Sequence, residues 1–215
     1  MKKIIEKHKN IWKNKEFRNS ALLGSILLIF SLVVNYFAGN YANGKESNPV
    51  TDIILDNIPT FDVGFIFIQG TLLLFLFIFF LLVQEPKRAP FVLKSLSLFI
   101  LIRSFFISLT HIGPFPQQIP LDPNRILEKI TFGGDLFFSG HTGTPFLMAL
   151  IFWHNKNLRN IFLAISVIFG ASVLMGHFHY SIDVFAAFFI TYAIFHLAQK
   201  FFKKDYGIIV NNVET

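Results

Sequence analysis

The chain contains no cysteine, which excludes disulfides and thiolate-ligated zinc and leaves histidines and carboxylates as the side chains that would hold any metal. Charge is scarce as well. Only 15% of the 215 residues are charged, against 53% hydrophobic ones and a mean hydropathy of +0.55, and this balance excludes a water-soluble domain of such length. There is no internal repeat and no low-complexity linker, so neither a solenoid nor a tethered second domain is indicated. No small-residue cleavage site follows the first apolar run, which therefore reads as a retained signal anchor. The net charge of +6 would suit a nucleic-acid ligand, but much of it lies at the two ends and in short loops, as membrane topology demands. No nucleic-acid partner is expected.

What the chain has in quantity is phenylalanine, 29 residues of it, distributed over apolar runs separated by short polar connections. The runs fall at about Ser20–Phe37, Gly64–Val83, Phe91–Leu109, Thr142–Trp153 with its preceding apolar turn, Ile161–Met175 and Ser181–Ala198. Each approaches the roughly twenty residues that a hydrocarbon core about 30 Å thick requires. The fourth is the weakest, because Gly143, Thr144 and Pro145 interrupt its start, although proline is tolerated in a first helical turn. The fold class expected is an all-α integral membrane protein, a six-transmembrane-helix bundle with both termini cytoplasmic. Residues 1–19 form a basic arm, 20–198 the membrane catalytic domain and 199–215 a cytoplasmic tail. Ile4, Ile5, Ile11 and Trp12 among the lysines of the arm suit either an interfacial helix on anionic lipid or a solvated basic flank.

Positive charge alternates between successive connections. Lys2, Lys3, Lys7, Lys9, Lys13, Lys15 and Arg18 precede the first span, Lys87 and Arg88 follow the second, Lys156 and Arg159 follow the fourth, and Lys200, Lys203 and Lys204 follow the sixth. These are predicted to face the cytoplasm. The opposite connections carry Asp52, Asp56 and Asp62, the mixed loop from His111 to Gly140, and His177 with His179. His141, His179 and Asp183 therefore open their spans on the non-cytoplasmic side of a cell membrane.

Those three residues suggest phosphorus chemistry. On a helix, His179 and Asp183 would share one face, so the carboxylate would accept one ring N–H and leave the other nitrogen free to attack phosphorus. His141 would protonate the departing alkoxide and then activate the acceptor. A lone interfacial histidine is usually only a tolerated polar residue, but a carboxylate at hydrocarbon depth costs a few kcal/mol and tends to serve function. Arg103, expected about eight residues and roughly 12 Å inside the third span, falls under the same rule, as a partner for Asp183 or for a substrate phosphate. His154 and His196 read as ordinary interfacial residues, His111 and His177 as supporting groups, and the Phe stripes as lipid-facing and packing surface. A metal held by His141, His179 and Asp183 is chemically feasible and would predict inhibition by chelators.

The residues also resemble a known family, the sphingomyelin synthase-related branch of the type 2 phosphatidic acid phosphatase superfamily. Gly134–Asp135–Leu136–Phe137–Phe138–Ser139–Gly140–His141–Thr142 is similar to that branch's Gly-Asp-x-x-x-Ser-Gly-His-Thr motif, and His177–Phe178–His179–Tyr180–Ser181–Ile182–Asp183–Val184 to its His-x-His-Tyr-Thr-x-Asp-Val motif. Arg103–Ser104 with Thr110 and Pro114 resembles a third-helix signature, and Asp52–Ile53–Ile54–Leu55–Asp56 a first-loop motif. The resemblance implies six helices, no metal or other cofactor, and a phosphohistidine intermediate. It makes His179 the nucleophile, Asp183 its orienter and His141 the general acid and base, with Arg103, Asp135, Ser139, Gly140 and Tyr180 at the substrate. Asp135 is equally suited to capping the fourth helix.

Two departures bear on the substrate. The superfamily's Lys-x6-Arg-Pro segment is missing upstream of His141, and no arginine stands in Ser172–Gly176 before His179. A singly charged phosphodiester needs fewer cationic contacts than a phosphomonoester. Gln69 stands where some relatives carry a glutamate. The expected activity is transfer of a phosphoryl headgroup from a glycerophospholipid donor to a lipid alcohol such as ceramide, with both partners drawn from the membrane. Hydrolysis by a lipid phosphatase or phospholipase C-like reaction is the alternative, and a non-catalytic lipid-binding protein is a third reading.

Overall fold

Asn14 divides the N-terminal segment into two helices, because its side chain accepts hydrogen bonds from the amides of Glu16 and Phe17 and so caps the second of them. In the computed structural model, which describes residues 2–118 and 137–210, α1 spans Lys2–Lys13 and α2 spans Lys15–Asn43. His8 Nε2 lies 2.7 Å from the Val83 carbonyl, tying the arm to the C-terminal end of the second span. Every regular element among the described residues is helical. A π-helical turn, Ile66–Gly70, leads into α3 (Thr71–Gln84), and a 3₁₀ turn at Pro86–Arg88 leads into α4 (Ala89–Ile107). The remaining helices are α5 (Gly140–Ile151), α6 (Lys156–Met175), α7 (Ser181–Phe201) and α8 (Lys203–Val210).

Among the described residues five helices are long and apolar enough to cross a membrane: Lys15–Asn43, Ile66–Gln84, Pro86–Ile107, Lys156–Met175 and Ser181–Phe201. The fourth predicted span takes a different form. It is the 12-residue α5, about 18 Å long at 1.5 Å per residue and thus short of the hydrocarbon thickness. Its side chains are the most enclosed of any helix among the described residues, with Leu147, Met148 and Ala149 wholly buried between α4, α6 and α7. Pro145 is not in its first turn, as the sequence suggested, but at its sixth residue. A proline there has no N–H to offer the carbonyl four residues back, so the helix leaves the His141 carbonyl without its helical donor.

The outward surfaces of α2 and α3 are apolar: Leu22, Ile29, Phe37, Phe75 and Phe79 are all exposed. On a water-facing surface such a patch would drive association, and here it matches the lipid-facing role expected of the Phe stripes. At the end of the bundle remote from the histidine motifs, Lys94 of α4 is buried and placed 2.7 Å from Asp205 Oδ2 of α8. Ser20 of α2 donates to Asp205 Oδ1 at 2.6 Å and stands 2.6 Å from Lys94 Nζ. Part of the predicted tail is therefore a helix folded back onto the bundle, held by a buried ion pair.

Candidate active site

Two helix starts, α5 and α7, make the site. Ser139 is the N-cap of α5: its hydroxyl oxygen accepts from the Thr142 amide at 3.3 Å and the Thr142 hydroxyl at 3.2 Å. The Ser139 amide in turn donates to the Asp183 carbonyl of α7 at 3.1 Å, which joins the two histidine motifs directly. Ser166 of α6 donates to the Thr142 carbonyl at 2.8 Å and fixes the same turn from the other side. The outcome is that the His141 and His179 ring centroids lie 6.4 Å apart, at one end of the bundle.

The reason Asp183 reaches His179 differs from the sequence argument. The helix begins at Ser181 with Tyr180 as its N-cap, so His179 precedes the helix and does not share one of its faces. Contact comes instead from capping: Asp183 Oδ2 accepts from the Tyr180 amide at 2.9 Å, which pulls the carboxylate back over the chain entering the helix. His179 Nδ1 then stands 3.4 Å from the same oxygen, close enough for electrostatic attraction but not aligned as a hydrogen bond. Both side chains are buried.

Loop residues fasten this helix start from outside. Asp52 Oδ2 accepts from the Ser181 amide at 2.7 Å, and its Oδ1 accepts from the Ile54 and Leu55 amides at 2.9 and 3.2 Å. Burial would raise the Asp52 carboxyl, but these bonds, with the Ser181 hydroxyl, outweigh it and hold the group below its ordinary value. The Tyr180 hydroxyl donates to the Gly113 carbonyl at 2.9 Å and accepts from the Val50 amide at 3.2 Å. Its role is therefore to bind the first and third connections together. His177, buried against Phe115, is held below the ordinary histidine value chiefly by burial, and it adopts a left-handed φ of 55°.

Arg103 lies four residues before the end of α4, about 6 Å and not 12 Å inside. Its Nε donates to the Phe138 carbonyl at 2.8 Å, at the chain entering α5. Gly140 permits this approach, since a Cβ there would stand 3.3 Å from Arg103 Nε. The guanidinium is thus brought beside the turn that carries His141.

Of the residues expected at the site, His141, His179, Asp183, Arg103, Ser139, Gly140 and Tyr180 come together at this end of the bundle, although the hydroxyls of Ser139 and Tyr180 are engaged in holding the backbone. Asp135 lies outside the described residues. Gln69 lies in the π-helical turn with its Oε1 buried and lacking a hydrogen-bond partner among the described residues. His154 is exposed and His196 pairs with Gln199 at 2.9 Å, both remote from the site. Among the described residues no group of three or more histidine and carboxylate side chains is arranged to hold a metal ion. One neighbour of His141 had no signal in the sequence: Phe67, whose ring stacks on the imidazole with centroids 4.0 Å apart.

No curated protein and no solved structure matches the chain. Residues 133–200, which contain both histidine motifs and less than half of the chain, match the family model described as PAP2 superfamily C-terminal. The match supports the type 2 phosphatidic acid phosphatase superfamily that the motifs resemble, an enzymatic superfamily acting on phosphate groups, and does not extend to the sphingomyelin synthase-related branch.

Proposed function

We propose that this protein is an integral membrane lipid phosphotransferase that moves a phosphoryl headgroup from a glycerophospholipid to a lipid alcohol of the ceramide type. The observation that carries the reading is the convergence of His141 and His179 with the Asp183 carboxylate on the Nδ1 side of His179. In this mechanism the lone pair of His179 Nε2 attacks phosphorus while the bond from phosphorus to the glyceryl oxygen breaks. The bonding pair stays on that oxygen and His141 supplies the proton, so diacylglycerol departs and a phosphohistidine remains. The acceptor hydroxyl then gives its proton to His141 as its oxygen attacks phosphorus, and the P–N pair returns to His179. Asp183 balances the charge that develops on the His179 ring.

Arg103 is assigned to a phosphodiester oxygen. It is the sole buried cation at this end among the described residues, which favours a singly charged diester over a phosphomonoester. The charge alternation of the loops supports a site facing the non-cytoplasmic side, with six passes and both termini in the cytoplasm. Purified protein in liposomes of defined phospholipids, with and without ceramide, tests the reading by mass spectrometry of the products. A headgroup-bearing sphingolipid formed with diacylglycerol, only when ceramide is present and not by His179→Ala, is the expected result. Free phosphoryl headgroup or inorganic phosphate formed regardless of ceramide would make the protein a hydrolase. Full activity in His179→Ala would remove the mechanism altogether.

A further inference from the structure

The span that leads into α3 is irregular at its start, where Ile66–Gly70 form a π-helical turn. Such a turn widens the helix by one residue and re-aims the side chains within it. Phe65 is 72% exposed toward the lipid side, whereas Phe67, two residues on, is 5% exposed and turned into the bundle. There its ring lies over the His141 imidazole, with an interplanar angle of 22°. Among the described residues this is the one aromatic pair that is stacked face to face, while the rest are tilted or edge-on. Phe178, on the chain just before His179, packs against Phe67 with centroids 4.4 Å apart and keeps the ring in place.

One residue thus restrains the plane of the ring, and with the plane the directions in which its two nitrogens point. The aromatic face also carries negative charge density, which suits the ring when it is protonated.

We propose that Phe67 is a positioning residue for His141, its ring fixing the imidazole plane so that one nitrogen is aimed at the departing oxygen. This inference rests on the phosphotransferase reading, in which His141 is the general acid. A leaving group that departs without a proton makes the distinction from mere packing. Phe67→Leu removes the ring at similar bulk, and Phe67→Tyr keeps it. Each is compared with unmodified protein on two phosphodiester lipids, one releasing an alkoxide and one releasing 4-nitrophenolate, with thermal unfolding measured in parallel.

General acid–base catalysis contributes on the order of 10²–10⁴-fold, so misaligning the acid should lower the first-turnover rate of leaving-group release from the alkoxide substrate by about 10- to 100-fold. Substrate affinity should be unchanged, first-turnover release of nitrophenolate, which precedes the step in which His141 acts as base, should slow by less than about twofold, and Phe67→Tyr should restore most of the alkoxide rate. An equal loss on both substrates would assign Phe67 to packing alone and overturn the inference, as would an unchanged alkoxide rate in Phe67→Leu. If Phe67→Leu does not accumulate, Phe67→Met serves as the ring-free variant. Should unmodified protein form no phosphoenzyme that depends on His179, the phosphotransferase reading and this inference fall together. A normal phosphoenzyme with equal losses on both substrates removes the inference alone.

Discussion

Replacing Asp52 with Asn tests whether the first connection holds the helix start next to His179 in place. Asn is isosteric, and its remaining carbonyl oxygen can still accept from the Ile54 and Leu55 amides, so the local turn of the first connection persists. Opposite the Ser181 amide, however, an acceptor at 2.7 Å is exchanged for an amino group, and two donors then face each other in a buried position. A hydrogen bond to a charged group is worth about 1.5–3 kcal/mol, and every 1.4 kcal/mol is about tenfold. Local opening at the start of α7 should therefore become roughly 10- to 100-fold more frequent. Hydrogen exchange of the Ser181 amide in lipid nanodiscs reads this directly, and turnover should fall along with the lost order around His179. The pH dependence has a definite sign. Because the folded Asp52 carboxyl lies below its ordinary value of 3.8, its contribution is fully present above that value and is lost as pH falls through the lower, folded value. Unmodified protein should show the same Ser181 protection at pH 7 and pH 5 and lose it only in stronger acid, whereas the Asn variant should already be unprotected at pH 7. Unchanged Ser181 exchange in Asp52→Asn would refute the reasoning, because the charge-assisted bond would then contribute nothing to holding the helix start.

Two further substitutions probe the packing that carries the site. Gly143→Ala would set a Cβ 2.7 Å from Phe99 ring atoms and 2.8 Å from Thr191 Oγ1, and overpacking of this kind costs about 1–3 kcal/mol. The melting temperature should drop by several degrees, and an unchanged value would show that α5 can move without penalty. Lys94→Met leaves the Asp205 carboxylate buried and unpaired, a loss of about 3–5 kcal/mol, whereas the Lys94→Met, Asp205→Leu double variant should recover most of it. Denaturation of both variants in detergent checks this, and a double variant no more stable than the single one would show that the pair is not what anchors α8.

The sequence displayed the parts of this protein that depend on period and composition, and concealed those that depend on approach between distant segments. Long apolar runs marked the spans because only a helix satisfies its backbone in hydrocarbon, and they did so to within a few residues at Ser181 and Met175. The short α5 broke that rule for a physical reason: a helix wrapped by protein on all sides needs no lipid-spanning length. His141, His179 and Asp183 were legible because charged and titratable groups are rare at such positions. The route by which Asp183 meets His179 was not, because spacing alone does not tell whether a residue sits within a helix or just before its cap. Lys94 and Asp205 are 111 positions apart, and no local pattern pairs them. Phe67 was hidden for a different reason. Among 29 phenylalanines, the one that stacks on a catalytic candidate has no distinguishing neighbour in the sequence, and a one-residue widening of a helix leaves hydropathy unaltered.

The two ends of the bundle differ in the buried polar groups they leave unpartnered, and this contrast supports the location of the site independently of any motif. Lys94, Ser20 and Asp205 hold one another at 2.6–2.7 Å, which is what a fold requires to keep charge within an apolar interior, and the unpartnered group beside them is the small Ser95 hydroxyl. At the other end, His179 Nδ1, His177 Nε2 and Gln69 Oε1 are buried without a hydrogen-bond partner among the described residues, and His177 is in a left-handed conformation besides. Each such group costs about 1–3 kcal/mol, and the backbone conformation adds a further amount on the order of 1–3 kcal/mol. Two imidazole nitrogens and an amide oxygen left unpartnered at one end, against a single hydroxyl at the other, are not explained by packing alone, since both ends are built from the same helices. They are explained if that end is arranged for a phosphodiester, whose oxygens accept from ring N–H groups and whose transfer alternately protonates and deprotonates the rings.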